Sequence, residues 1–441
     1  MSNKKMSLLT SPPMILSVGF LIVITIGTCL LMLPASSIKP VSWLQAAFTA
    51  TSAVTVTGLA VVDTANYTRL GQVIIAFLIQ VGGLGFMTFA VFAFMSLQRR
   101  LNIAGQKIAR EAFADASFGD ISSTAKSVIA IALTVELIGF IFLSIFFAKE
   151  MPLSEALYSG FFYTISAFNN AGFGLNNDNL MPYAHNYGIN ITVTSLIIIG
   201  GLGFIVLKDL IENRKWSKIN VNSKIMLGAT AALNIVAFVL FWLLEHNNPN
   251  TMGNFPLGDQ LIASWFQAIT PRTAGFNTVP VEGLTDASTV LTIFLMFIGG
   301  GSVSTASGIK VGTFVILLLT TWAFLRQRDH VTIFERRIPD RLVRKSLALI
   351  SITMMLIFLS VFILSVIEAQ HPFEDVLFEV VSALGTVGLT RGLTTRLSSA
   401  GEIVIMFMMF AGRLGPLTLA YLIAMPKSTR VNYPETNVLV G

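Results

Sequence analysis

The sequence predicts an all-α polytopic membrane protein with four consecutive repeats of helix, re-entrant pore loop and helix (M1-P-M2) around a pseudo-fourfold pore. Three observations predict this fold. The 441 residues are 54% hydrophobic and only 12% charged, whereas soluble domains carry about 25% charged residues. Apolar stretches of about 18 residues or more, long enough to cross a bilayer core, recur along the chain. Finally, one short segment occurs four times in related form.

The repeated segment is a brief apolar stretch that meets a polar tract and then a glycine followed by Leu or Phe. Its four copies are TSAVTVTGLAVVD, ISAFNNAGFGL, FQAITPRTAGFNTVP and VSALGTVGLTRG. Their glycines, which lie 114, 103 and 113 residues apart, are Gly58, Gly172, Gly275 and Gly388. Because four equivalent loops can surround one axis, this repeat is typical of a cation pore lined by main-chain oxygens.

Each repeat is predicted to hold two spans with a shorter apolar half-span between them. The half-spans are too short to cross the membrane, so they must enter and leave on the same side, where protein or a water-filled cavity covers their irregular backbone. The predicted repeats are 14–97, 125–207, 224–322 and 341–425, and the half-spans are 42–55, 153–168, 257–270 and 373–384.

Basic residues predict the orientation in the membrane. Of the 29 lysines and arginines, 21 lie in the connections between repeats or near the chain ends. Because basic residues stay on the cytoplasmic side, both termini are expected inside, with the re-entrant segments open to the outside. The same bias accounts for the formal charge of +6, so lipids are expected to surround the spans and no nucleic-acid partner is needed. Lys4 and Lys5 precede the first span without a cleavage-site pattern, which predicts an uncleaved helix.

Enzymatic chemistry is not indicated. The four histidines lack metal-ligand spacing, the single cysteine cannot form a disulfide within the chain, and the spans carry no nucleophile paired with a base.

The re-entrant segments have the chemistry of a monovalent-cation site. A half-helix that descends from outside points its partly negative C-terminal end at the membrane centre, and the returning chain adds carbonyl oxygens that replace an ion's water shell. The polar tracts of the four segments contain no carboxylate, and Ca²⁺ and Mg²⁺ usually recruit carboxylates. The favoured ion is therefore K⁺. Asp63, at the outer end of the first segment, is a candidate for concentrating cations.

A second motif, rich in glycine, recurs in the second span of each repeat, as VGGLGF, IGGLGF, IGGGSVSTASGIK and AGRLGPLT. The third copy lies in an apolar stretch, 287–322, that would form a helix of about 54 Å, much longer than a bilayer. We expect Gly299–Gly308 to be an unwound intramembrane loop that occludes or opens the pathway, as broken helices do in transporters; a kink without a gating role is the alternative. Arg413 either donates hydrogen bonds to this loop or opposes cations electrostatically, whereas Lys310 either joins it or reaches the cytoplasmic interface.

These motifs, in their order, resemble the superfamily of potassium transporters that includes bacterial Trk and Ktr systems and plant high-affinity transporters. The chain is similar over essentially its whole length to the membrane subunit of Ktr-type uptake systems. The resemblance implies K⁺ uptake across the bacterial plasma membrane, with Na⁺ stimulation in some members. It also implies a homodimer that works with a separate cytosolic nucleotide-binding ring of the regulator-of-K⁺-conductance kind, since this chain has no nucleotide site.

The resemblance also implies the residues of the site. The K⁺ filter would be formed by Thr55, Val56, Thr57, Gly58, Asn169, Asn170, Ala171, Gly172, Arg272, Thr273, Ala274, Gly275, Gly385, Thr386, Val387 and Gly388. The gate would be formed by Gly299, Gly300, Gly301, Ser302, Ser304, Thr305, Ser307, Gly308, Lys310 and Arg413. A serine in place of the first filter glycine accompanies Na⁺ preference in part of the plant branch, so Gly58 favours K⁺.

One alternative function is secondary transport that couples K⁺ to Na⁺ or H⁺. Inverted repeats would favour alternating access, but the four predicted repeats run in one orientation.

Overall fold

The computed structural model describes residues 12–97, 121–302 and 304–415, and these residues are mostly helical. In chain order the helices are α1 (Pro12–Leu31), α2 (Trp43–Val54), α3 (Arg69–Leu97), α4 (Ile121–Phe147), α5 (Leu153–Phe168), α6 (Tyr187–Leu202), α7 (Phe204–Glu212), α8 (Val221–Glu245), α9 (Leu257–Ile269), α10 (Asp286–Phe297), α11 (Val311–Leu325), α12 (Asp340–Ile367), α13 (Phe373–Gly385) and α14 (Ser399–Leu414). A two-stranded antiparallel hairpin, β1 (Thr332–Ile333) and β2 (Arg336–Arg337), joins α11 to α12.

Among the residues whose side chains the structure describes, four helices are long and apolar enough to cross a membrane: α1, α4, α8 and α12. Only 22 to 33% of the residues in their apolar windows are buried inside the protein, so most of their apolar side chains face outward. Outward-facing apolar helices are typical of a multi-pass membrane protein, because lipid tails are the solvent they fit.

The shorter helices α2, α5, α9 and α13 lie inside the protein. Their C-terminal halves are buried, and each ends a few residues before one of the four repeated glycines. Proline precedes three of these helices, as Pro152, Pro256 and Pro372. Ser42 begins the other with a reciprocal capping box to Gln45, which satisfies two backbone N–H groups at the start of the helix. We call these four the half-helices.

The half-helices and the helices that follow them pack in a closed cycle. Helix α3 contacts half-helix α5, α6 contacts α9, α10 contacts α13, and α14 returns to contact α2. The second helix of each trio therefore supports the half-helix of the next trio, and the last supports the first. This cycle arranges the four half-helices around a common axis.

Two second spans differ from single continuous helices. The sequence predicted one span up to residue 207, but the chain breaks at Gly203, and α6 and α7 meet at 94°. The φ of Gly203 is 99°, a conformation that residues with a β carbon rarely adopt. The apolar stretch 287–322 is interrupted between α10 and α11, where the sequence predicted an unwound segment. Of the predicted span 401–425, residues 416–425 lie outside the described part of the chain.

Close packing of α3 on α2 generates a stability prediction. A β carbon on Gly82 would lie 2.7 Å from the carbonyl carbon of Val54, whereas one on Gly228 would meet nothing within 4 Å. Gly82→Ala should lower the unfolding temperature in detergent, because overpacking costs about 1–3 kcal/mol. Gly228→Ala, the matched control, should leave it unchanged or higher, because alanine favours a helix by about 1 kcal/mol. Equal unfolding temperatures for the two variants would contradict this packing.

Candidate functional site

The four repeated glycines meet in a closed ring. A β carbon added to any of them would lie less than 3.0 Å from a main-chain oxygen of the next loop. The contacts run from Gly58 to Ala171, from Gly172 to Ala274, from Gly275 to Val387, and from Gly388 back to Thr57. We call these four glycines and the residues that precede them the glycine ring. Loops separated by about a hundred residues thus touch in the order of the repeats.

The backbone of the ring alternates in conformation. Each glycine has a positive φ, between 71° and 97°, and so does the residue two positions before it. Those residues are Val56, Asn170, Thr273 and Thr386, with φ between 49° and 68°. A regular strand points successive carbonyls to opposite sides, whereas this alternation allows several carbonyls to face one side. Non-glycine residues in this region are strained, and their recurrence at one place in four loops indicates a functional constraint.

Hydrogen bonds hold three of the loops to their half-helices in the same way. The amides of Thr57, Ala171 and Val387 donate to carbonyls five residues earlier, at 2.7 to 2.8 Å. In the third loop, Ala274 donates instead to Thr270, four residues earlier.

The ring carbonyls themselves are not used in this way. Within the described part of the chain, no hydrogen bond is donated to the carbonyl oxygens of Thr57, Ala171, Ala274 or Val387. These oxygens can therefore serve as ligands for a cation.

In three of the four loops, the side chain of the residue three positions before the glycine anchors the loop from behind. The Asn169 amide donates to Gln80 at 2.8 Å and to Glu136 at 3.3 Å. The Thr55 hydroxyl donates to the Thr51 carbonyl at 2.7 Å. Arg272 directs its guanidinium toward α8, and Gly385, the last residue of α13, has no side chain. The side chains of Thr55, Asn169 and Arg272 form hydrogen bonds behind the ring. These residues can therefore line the ring only with their main chain.

A cavity of about 360 Å³ lies against the glycine ring, and all four glycines line it. Three carboxylates also line it, from Asp63, Asp178 and Glu282. Sequence reasoning found Asp63 but missed the other two, although they follow Gly172 and Gly275 by six and seven residues, much as Asp63 follows Gly58 by five. Burial, with Asp178 adding a smaller effect, raises the pKa of Asp63, because desolvation and the nearby negative charge both disfavour the ionised carboxylate. We call this cavity the vestibule.

The described residues 298–302 and 304–310, between α10 and α11, form a loop whose two ends lie side by side. We call it the intramembrane loop, after the position that the sequence predicts for it. Gly299 donates its amide to Ile309 at 2.9 Å, and Val311 donates to Gly300 at 3.1 Å. The loop reaches the end of half-helix α5, where the Thr305 hydroxyl donates to the Phe168 carbonyl at 3.3 Å. All ten predicted gate residues except Arg413 belong to this loop; Val303, within it, lies outside the described residues.

Arg413 joins this intramembrane loop to two helices. Its guanidinium, 5% exposed, donates to the Thr305 carbonyl, to the Ser307 hydroxyl at 3.2 Å, and to the Gly82 carbonyl on α3. Arg413 therefore donates hydrogen bonds to the loop, which is the first of the two roles predicted for it. The Lys310 ammonium donates to the Ala306 carbonyl at 2.7 Å, so it turns back onto the loop.

Comparison with known proteins assigns the family. The sequence profile of the TrkH family, described as cation transport protein, matches residues 6–229 and 224–433. The chain belongs to the TrkH family. The Ktr system potassium uptake protein B of Bacillus subtilis is 44% identical, over 98% of this chain and 97% of the relative. The protein of the same name from Vibrio alginolyticus is 42% identical, over 97% and 95%.

Other TrkH-family proteins extend this result. The potassium/sodium uptake protein NtpJ of Enterococcus hirae is 35% identical, over 98% of this chain and 97% of the relative. The crystal structure of the potassium transporter TrkH from Vibrio parahaemolyticus has the same fold, with a TM-score of 0.72 at 21% identity, and covers 93% of this chain and 85% of that one. The predicted fold class and family resemblance are confirmed, and these relatives are named for transport and not for catalysis.

The vestibule carboxylates generate a pH prediction. Asp63→Asn should lower cation flux at low external concentration and low salt by about twofold, because negative charge at a cleft raises the local cation concentration. Because the pKa of Asp63 is raised, its charge is lost at a higher pH than that of an ordinary aspartate. Flux through the wild type should therefore fall as external pH drops, and less steeply in the variant. Flux in liposomes as a function of external pH measures both effects.

The control for this prediction is Asp340→Asn, which removes an exposed carboxylate paired with Arg337 near the β-hairpin. It should leave the flux and its pH dependence unchanged. Identical pH profiles for the wild type and Asp63→Asn would contradict the prediction, as would a loss of flux that persists at high salt.

Proposed function

We propose that this protein takes up K⁺ across the bacterial plasma membrane as the ion-conducting subunit of a Ktr-type system. The observation that carries the proposal is the closed glycine ring, in which four loops present free main-chain oxygens next to a vestibule with three carboxylates. Two relatives, one from a Bacillus and one from a Vibrio species, are named potassium uptake proteins, which supports K⁺ as the ion.

The chemistry of the ring favours a weakly hydrated monovalent cation. Its filter would comprise the main chain of Thr55–Gly58, Asn169–Gly172, Arg272–Gly275 and Gly385–Gly388. The half-helices end just behind these residues, so their partly negative ends would stabilise a cation at the axis. Neutral carbonyls replace the water shell of K⁺ without binding it as tightly as carboxylates bind divalent ions. The vestibule carboxylates would concentrate cations at the entrance.

The intramembrane loop would be the gate of this pathway. It contacts the end of half-helix α5 and, through Arg413, helices α3 and α14, which supports a position directly beneath the ring. In the proposed gate, Gly299–Gly308, Lys310 and Arg413 hold a closed state through hydrogen bonds to main-chain oxygens. Opening would require these bonds to break together.

The proposed assembly follows the relatives. The word "system" in the names of the Ktr proteins supports a membrane subunit that works with other components. We infer a homodimer of four-repeat subunits, with repeats at 14–97, 125–207, 224–322 and 341–425, cytoplasmic termini and a separate cytosolic nucleotide-binding ring. The potassium/sodium uptake protein NtpJ supports Na⁺ stimulation as a further property.

Growth of K⁺-uptake-deficient cells in low K⁺ tests the function. Cells that produce this protein with a cytosolic regulatory subunit should grow, whereas cells without the protein should not. In liposomes with K⁺ as the permeant cation, the current should follow the K⁺ gradient. K⁺ accumulation against its own electrochemical gradient, driven by a Na⁺ or H⁺ gradient, would instead show coupled transport.

Gly58→Ser should abolish growth in low K⁺ or make the cells Na⁺-sensitive. A β carbon there would strike the Ala171 carbonyl, and the φ of 97° strains any residue with a side chain, so the ring would lose its spacing. Gly228→Ser is the matched control, because its added β carbon would meet nothing within 4 Å. Membrane levels of both variants are measured by immunoblot. If cells with Gly58→Ser grew normally in low K⁺ and the variant kept its K⁺ selectivity, the ring would not be part of the cation pathway.

Shortening the segment Gly301–Ser307 should raise K⁺ flux in the absence of the regulatory subunit, because the barrier beneath the ring becomes smaller. The K⁺/Na⁺ permeability ratio should stay the same, since the ring carbonyls are untouched. Liposome flux with correctly folded protein measures both quantities. Unchanged or lower flux would argue against a gating role for the loop.

A further inference from the structure

Arg272 is a buried cation next to the glycine ring whose partners are all neutral. Its side chain is 7% exposed, and it donates to the Asn234 side-chain oxygen at 2.9 Å, to the Thr230 carbonyl at 3.5 Å and to the Gly299 carbonyl at 3.4 Å. In the described part of the chain it forms no ion pair. A buried charge without a counter-charge is costly in a membrane protein, so its presence here points to a role beyond packing.

The bond to Gly299 spans two parts of the pathway. Arg272 belongs to the third loop of the ring, three positions before Gly275, and Gly299 is the second residue after α10, where the intramembrane loop begins. One side chain therefore connects a ring loop to the hinge of the loop beneath it. Asn234, on α8, fixes the other side of the same guanidinium.

The other three trios make the corresponding connection by direct packing. The glycines Gly82, Gly200 and Gly412 of the second-span motifs would place a β carbon against the carbonyls of Val54, Phe168 and Leu384, respectively, at the ends of the half-helices. In the third trio, Gly299 instead faces the Ser307 carbonyl of its own intramembrane loop. Contacts between rigid backbones are replaced there by hydrogen bonds from one side chain, and hydrogen bonds can break and reform.

The surroundings of Arg272 leave it room to move. A cavity of about 20 Å³ lies beside it, lined by Gly201, Gly300 and Ile269 among others, which is enough for a single water molecule. Within the described residues, the Arg272 Nε has no acceptor. A water molecule in this space would accept a hydrogen bond from the guanidinium when the Gly299 carbonyl departs, while the bond to Asn234 is kept.

We propose that Arg272 is a positioning residue that couples the third ring loop to the intramembrane loop: it holds the Gly299 carbonyl when the loop lies under the ring and releases it when the loop moves. This inference rests on the proposed function, because it assumes that the loop controls cation flux. The planar fork of arginine suits the role, because two of its nitrogens donate in different directions at once, whereas lysine is a single point charge.

The test uses the full-length protein in liposomes without a regulatory subunit. Arg272→Lys removes the fork and keeps the charge, and Asn234→Leu removes the partner that orients the fork while leaving ring and loop residues intact. Each should raise basal K⁺ flux by about tenfold, the effect expected when a hydrogen bond from a charged group is lost from the closed state. The K⁺/Na⁺ permeability ratio should not change. Ile235→Ala, on the exposed face of α8 at 57% exposure, is the matched control and should behave as the wild type.

A double-variant cycle separates coupling from a role in the ring itself. In protein with the shortened segment Gly301–Ser307, Arg272→Lys should have no further effect on K⁺ flux. The loop that Arg272 holds at Gly299 no longer blocks the pathway in that protein. The inference would be overturned if Arg272→Lys changed the K⁺/Na⁺ permeability ratio in both the full-length and the shortened protein. It would also be overturned if Arg272→Lys raised the K⁺ flux equally in both. If Arg272→Lys does not fold, Asn234→Leu gives the same comparison. If the wild type conducts K⁺ and the variants conduct the same, only the coupling is refuted. If the wild type conducts no K⁺ even when a cytosolic regulatory subunit is added, the proposed function is refuted as well.

Discussion

The close approach of four main chains around one axis is the constraint on which the rest of this structure depends. At each of the four ring glycines, the space of a missing β carbon is filled by a main-chain oxygen of the neighbouring loop. Carbonyls can replace the water around an alkali cation only if they stand at a common distance from it. Any side chain at these positions would push neighbouring loops apart, so glycine there is a requirement of geometry.

The helices around the ring hold that spacing. In three of the four trios the second span carries a glycine where it meets its half-helix, and in every trio it also packs on the half-helix of the next trio. Because this cycle closes on itself, a shift of one loop has to displace its neighbours. The side chains behind the ring then differ among the repeats: a hydroxyl at Thr55, an amide at Asn169 and a guanidinium at Arg272. The pathway is fourfold at the ring and asymmetric behind it.

The asymmetry is concentrated in the third trio, which interrupts its second span with the intramembrane loop. Two arginines from different trios bond to main-chain oxygens of this segment, Arg413 at Thr305 and Arg272 at Gly299. A cation pathway lined by carbonyls needs such donors when it is closed, because unpaired carbonyls inside a membrane are costly. Positive groups also disfavour a cation beneath the ring. In the proposed gate, both effects would stabilise the closed state with few residues.

The sequence by itself determined the repeat, the apolar spans, the carboxylate-free polar tracts and the need for a break near Gly299, because these follow from composition, length and local chemistry. The half-helix predicted at 153–168 coincides with α5 for the same reason. Tertiary structure alone decided the rest. VGGLGF continues as helix in α3, whereas IGGLGF bends at Gly203, so near-identical segments differ through their neighbours. Likewise, only folding brings Asp178 and Glu282 to the vestibule, next to loops far away in the chain. Folding also directs the Arg272 side chain away from the axis and toward Gly299, 27 residues later in the chain.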